Sequence, residues 1–100
     1  MLGNARLKPS ATTLSTLFTA TTDSVVSSIV VTNLGTASYF RIALRPLGTA
    51  IDNSHYLYYD LPIDANDTFI LTIGVSLVNT DVISVYSTSG NISFNLFYTT

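Results

Sequence analysis

Cysteine is absent from this chain of 100 residues, so neither disulfides nor thiolate-bound metals contribute to its folding. That removes the usual staple of small secreted domains and suits assembly in a reducing cytoplasm. Charge is scarce as well: 10% of the residues are charged, against about 25% in an average soluble domain. Four residues are basic, too few for the clustered lysine and arginine that phosphate binding requires, and no nucleic-acid partner is expected. No apolar run approaches the ~18 uninterrupted residues of a membrane span, so no membrane partner is expected either. The opening residues, MLGNARLKPSATTLSTLFTA, place Arg6 and Lys8 early but lack the continuous apolar segment of a signal peptide.

Serine, threonine and asparagine fill the polar positions instead, beside a hydrophobic share of 47%. Uncharged hydroxyls and amides are cheaper to desolvate than lysine or glutamate, which suits a surface packed against neighbours. A net charge of −2 offers little repulsion to oppose association.

Strong helix formers such as glutamate and lysine are scarce, β-branched and aromatic residues dominate, and turn residues recur at short intervals. Strands are expected over Ala11–Ala20, Ser24–Asn33, Ser38–Pro46, Ser54–Leu61, Thr68–Ile73, Val82–Ser87 and Asn91–Tyr98. In the third, Phe40, Ile42 and Leu44 share one face, and Tyr39, Arg41, Ala43 and Arg45 the other. In the last, Ile92, Phe94, Leu96 and Tyr98 point one way. Thr88-Ser89-Gly90 reads as a hairpin connection. About seven short strands with closely spaced turns describe an all-β fold: a single antiparallel β-sandwich or jelly-roll-like domain over residues 11–100. Phe40, Ile42, Leu44, Phe69, Leu71, Phe94 and Leu96 are its expected core. Residues 1–10 carry Gly3, Asn4, Pro9 and little β pattern, and read as an extended N-terminal arm with Arg6 and Lys8 as anchors against an acidic neighbour.

The densest chemistry lies in HYLYYDLPIDANDTFILTI, His55 to Ile73. Asp60, Asp64, Asn66 and Asp67 are oxygen ligands of the kind calcium takes, but without EF-hand spacing or a terminal glutamate. They read as a strand end followed by a turn held by side-chain-to-backbone bonds. His55 is the single histidine. With no Gly-x-Ser-x-Gly elbow and no second histidine or cysteine to form a metal pair, no catalytic, metal or cofactor site is expected. Strand periodicity puts Tyr56 and Tyr58 on one face and His55, Leu57 and Tyr59 on the other, making both faces aromatic. A subunit interface is the first use for such a strand, and a sugar platform the alternative. The sequons Asn66-Asp67-Thr68 and Asn91-Ile92-Ser93 matter only in a secreted setting. The residues expected to contact a partner are Arg6, Lys8, Arg41, Arg45, Tyr56 and Tyr58.

With the strands placed, the stretch SSIVVTNLGTASYFRIALRP, followed by HYLYYDLPIDANDTFILTIGVSLVNTDVISVYSTSGNISFNLF, resembles small structural proteins of tailed bacteriophages, especially aquatic phages. Asn33, Tyr58, Pro62, Asn66, Thr68, Gly74, Leu77, Asp81, Val85 and Phe94 occupy the positions that carry the likeness, which spans most of residues 24–97. The end departs from it: the pattern closes with a glycine after the final phenylalanine, where this chain has Tyr98. The resemblance implies a virion component assembled in the bacterial cytoplasm. It would be a capsid decoration (cement) protein, a homo-oligomer with a trimer favoured, seated on the major capsid protein. A tail, baseplate or neck accessory protein is the alternative within the virion. A receptor- or glycan-binding module built on Tyr56, Tyr58 and Tyr59 is the alternative outside it.

Overall fold

Hydroxyl-rich strands alternating with β-branched residues can bury one face only by pairing two sheets, and the chain does so. The computed structural model describes residues 1–100. Nine strands occur in order: β1 Leu2–Leu7, β2 Ser15–Thr19, β3 Ser24–Asn33, β4 Ser38–Arg45, β5 Tyr56–Ile63, β6 Thr68–Leu71, β7 Val75–Leu77, β8 Val82–Ser87 and β9 Ile92–Thr99. All pairings are antiparallel. The first sheet runs β1-β9-β3-β6, with β7 also paired to β3, and the second runs β2-β8-β4-β5.

β6 and β7 lie end to end along the same edge of β3, β6 beside Ile29–Thr32 and β7 beside Ser24–Val26. Gly74, at φ +51°, makes the break between them. Counted as one interrupted strand, they leave eight, ordered 1-8-3-6 and 2-7-4-5. That is the jelly-roll arrangement of two interlocked Greek keys. The radius of gyration, 12.7 Å, is that of a single domain of this length, about 13 Å.

The expected alternation holds where strands are central. Phe40, Ile42, Phe94 and Leu96 are fully buried, together with Val26, Ile29, Val31, Ile83, Val85 and Ile92. Phe40 meets Phe94 edge-on, with ring centroids 5.9 Å apart. Leu44, Phe69 and Leu71 are half-buried rather than buried. Phe69 and Leu71 sit on β6, a sheet edge with one flank open, and Leu44 lies near the end of β4.

Two buried polar residues close the sandwich. Asn33 ends β3 in the first sheet, and its amide N–H groups are shared among the carbonyls of Thr36 (2.8 Å), Asp64 (3.1 Å) and Ile63 (3.3 Å). Its Oδ1 accepts from the Gly35 N–H at 3.0 Å. Ile63 ends β5 in the second sheet, so one side chain ties both layers to the turn between β3 and β4. Elsewhere the buried Asp81 carboxylate accepts from the N–H groups of Leu47 (2.8 Å) and Val78 (3.0 Å).

The segment expected as an arm is instead part of the first sheet. β1 pairs with β9 over six residues, from Leu2 opposite Thr99 to Leu7 opposite Phe94. Gly3, Ala5 and Leu7 face inward and are half-buried, while Leu2, Asn4 and Arg6 face out. At Gly3 the inward position has no room for a side chain, because a Cβ there would collide with the Tyr98 ring. Glycine, alanine and asparagine carry little strand propensity, which is why the β pattern of this segment is faint.

Two measurements check this architecture. Asn33→Ala removes one donor from each of three carbonyls and the acceptor of the Gly35 N–H, and should cost roughly 1–3 kcal/mol in urea denaturation. Asn33→Asp, which sets a carboxylate against those carbonyls, should cost more. Deleting residues 1–7 strips the ladder from β9 and uncovers one flank of the core, at a cost on the order of 2–4 kcal/mol. An unchanged melting temperature after that deletion would show that β1 contributes nothing to the fold.

Candidate functional site

Strand β5 departs from regular pairing, and the departure builds the most distinctive surface of the molecule. Its register with β4 places Tyr56 opposite Ala43, Tyr58 opposite Ile42 and Leu61 opposite Phe40. One step along β4, from Ala43 to Ile42, spans two residues of β5. Two steps, from Ile42 to Phe40, span three. Each mismatch is a bulge that inserts an extra residue and switches the face of the residues after it. At the second, Asp60 adopts φ +51°, the left-handed region that aspartate tolerates better than most side chains.

The expected sharing of a face by Tyr56 and Tyr58 is therefore corrected. Tyr58 points inward and packs against the core, beside Leu61. Tyr56 and Tyr59, three residues apart, come together on the outside, with rings nearly perpendicular and centroids 4.9 Å apart. Arg41 rises from β4 between the aromatic rings. Its guanidinium carbon lies 4.2 Å from the Tyr59 ring centre, 4.3 Å from that of Tyr86 and 5.9 Å from that of Tyr56. Its Nε donates to Asp60 Oδ1 at 2.6 Å, with a longer second contact of 3.4 Å from Nη2 to Oδ2. That hydrogen bond and the carboxylate charge hold the guanidinium's proton even more firmly than usual, outweighing the opposing effect of partial burial.

A tight 3-10 turn, Asn53–His55, leads into β5. The Asp52 carboxylate accepts from the N–H and the hydroxyl of Ser54, and the Asp52 N–H donates to His55 Nδ1. The Ser54 hydroxyl and N–H hold the Asp52 carboxyl below the usual carboxylate range. Serine, histidine and aspartate meet here as a backbone cap, with the serine hydroxyl bonded to the aspartate rather than to the imidazole. Between this turn and β5 lies an open cleft of about 430 Å³ walled by Asn53, Tyr56 and Tyr59.

The remaining expected contact residues fall elsewhere. Arg45 shares the outer face with Arg41, as strand periodicity requires. Its Nε donates to Ser84 at 3.0 Å and its Nη1 to the carbonyls of Gly48 (3.3 Å) and Thr49 (3.0 Å), so it clamps the turn after β4. Arg6 lies on the outer face of the other sheet and reaches Asn4 Oδ1 at 3.4 Å, with Lys8 exposed just beyond β1. The aspartate-rich segment is the expected turn: the Asp67 N–H donates to the Asp64 carbonyl at 3.2 Å and the Thr68 N–H to Asp67 Oδ1 at 2.8 Å. Asp60 is not part of it, being committed to Arg41.

Nothing in the sequence singles out Asn53 or Tyr86. Tyr86 joins the site only because β8 pairs Tyr86 with Arg41, and Asn53 only because a cap fixes the turn before β5. The run of tyrosines is the visible signal; the two bulges that choose among them leave no mark in it.

Arg41→Ala should cost about 1–3 kcal/mol in urea denaturation. That sums stacking worth ~0.5–1 kcal/mol per exposed ring with a partly screened ion pair worth ~0–1 kcal/mol. Arg41→Lys should recover less than half of the loss, because an ammonium cannot stack flat between two rings while bonding a carboxylate side-on. Full recovery by lysine would reduce the arrangement to a simple charge pair. No known family model matches this chain, and no curated protein is significantly similar to it in sequence.

Proposed function

We propose that this chain is a structural protein of a bacteriophage virion, a capsid decoration subunit that assembles as a trimer, sits on the major capsid protein and stiffens the shell. The observation that carries the reading is the outer face of the first sheet. Arg6, Asn95, Val30 and Ile70 lie abreast across β1, β9, β3 and β6, with Asn4, Phe97 and Ser28 in the next row. Beyond them come Leu2, Thr99 and Val25, and on the other side Ser93, Thr32 and Thr68. Arg6 is the sole charge among them. Ile70 is 71% exposed and Leu2 85% exposed.

A face of this size with a single charge is cheap to desolvate, and its aliphatic side chains gain free energy when a neighbour covers them. It suits permanent contact with other subunits better than a free life in solution. The jelly-roll strand order agrees with the reading, since that architecture recurs in viral capsid domains, although fold alone assigns no role. The likeness of residues 24–97 to phage structural proteins supplies the virion setting. Arg6 and Lys8, at one margin of the face, anchor it to an acidic neighbour.

Light scattering of the purified protein at micromolar concentration should give a trimer. Ile70→Lys combined with Val30→Lys should give a monomer whose melting temperature stays close to that of the parent, because both side chains point away from the core. A monomeric parent would sink the assembly claim. Density for the chain at capsid three-fold sites in a cryo-EM map of the parent virion is the expected location, and its absence from the shell would remove the decoration role.

A further inference from the structure

The guanidinium of Arg41 already occupies the space between Tyr59 and Tyr86, and Asp60 matches its charge. The aromatic cage is thus closed to an external cation. What remains open is the cleft of about 430 Å³ walled by Asn53, Tyr56 and Tyr59, within the ~300–1,000 Å³ range of small-ligand sites. Tyr59 is 58% exposed and Asn53 is exposed, so aromatic ring and amide both meet solvent at the mouth.

We propose that this cleft binds a neutral saccharide, with one sugar ring seated against Tyr59 and its hydroxyls bonded to the Asn53 amide and the tyrosine hydroxyls. A pyranose has a C–H face that stacks on an aromatic ring and a rim of hydroxyls that needs paired donors and acceptors. An asparagine amide presents one acceptor and two donors side by side, a match for vicinal hydroxyls. The neighbouring charges already have partners: Arg41 and Asp60 bond each other, and the Asp52 carboxylate accepts from Ser54. A charged ligand would find no free counter-ion, whereas a neutral polyol needs none. A proline-rich peptide, the other common occupant of tyrosine clefts, docks along a grooved row of aromatic ridges, and here a single pair of rings stands.

The walls are also set in place before any ligand arrives. The cap between Asp52 and His55 fixes the turn that carries Asn53, and the two β5 bulges fix Tyr56 against Tyr59. Side chains ordered in advance lose less entropy on binding. The cleft lies on the second sheet and the proposed assembly face on the first, so either can fail while the other stands.

The test is a glycan array probed with the fluorescently labelled protein, followed by NMR titration of the ¹⁵N-labelled protein with the strongest neutral glycan from the array. Binding to a defined subset of neutral glycans is expected, with amide shifts centred on Asn53, Tyr56 and Tyr59. Asn53→Ala and Tyr59→Ala should each weaken binding about tenfold or more. Tyr59 also stacks on Arg41, so its variant is checked by a thermal melt, while Asn53→Ala lies outside that stack and reads the cleft alone. No array signal above background would overturn the proposal. So would binding that survives both substitutions, or shifts at these residues produced by a decaproline probe and by no sugar.

Discussion

The closed end of the sandwich depends on one buried amide. Asn33 ends β3 in one sheet and reaches the carbonyls where β5 ends in the other, while its oxygen holds the intervening turn at Gly35. Its own N–H donates to the Asp67 carbonyl, and the N–H of Leu34 donates to that of Asn91, so further connections converge on the same point. A buried amide must have its bonds or the fold loses more than it gains, and that requirement sets the spacing of the two sheets at this end. Asp81 plays the corresponding part for the turns at Leu47 and Val78. The apolar core of Phe40, Ile42, Ile83, Val85, Phe94 and Leu96 supplies most of the burial, but apolar contact is non-directional. The buried amide and carboxylate define how the layers meet.

With the layers held, irregularity is tolerated on the open flank of β5. The two bulges of the β4–β5 pairing occur on this edge strand, where one side has no ladder to disrupt. They turn Tyr58 into the core and bring Tyr56 and Tyr59 out beside Arg41. The left-handed backbone at Asp60 persists because its carboxylate gains a charged partner across the strand pair. Strain, stacking and the ion pair are one arrangement, and the cleft beside Asn53 is its by-product in space.

The two sheets thus present different outer surfaces. One is broad, nearly uncharged and dotted with exposed aliphatic side chains; the other carries a paired charge set among tyrosines. β1 links the two properties of the first sheet, since it covers the flank of β9 that would otherwise be an open edge and also extends the weakly charged face. A chain with so few charges relies on such coverage to keep its strand edges from pairing at random.

Local sequence determined the all-β class, the bounds of β3 and β8, the buried set Phe40, Ile42, Phe94 and Leu96, and the turn at Asp64–Asp67. Each depends on side-chain period or turn chemistry within a few residues, and such signals survive in one dimension. β1 and β7 escaped because a six-residue strand with glycine and alanine inward, and a three-residue strand after a glycine, carry almost no alternation. The site was half legible. Tyrosines and an arginine on adjoining strands were visible, yet which rings face out was decided by bulges that arise from the pairing of β5 with β4. Period-2 counting assumes one residue opposite one residue, and only the folded ladder reveals where two stand opposite one.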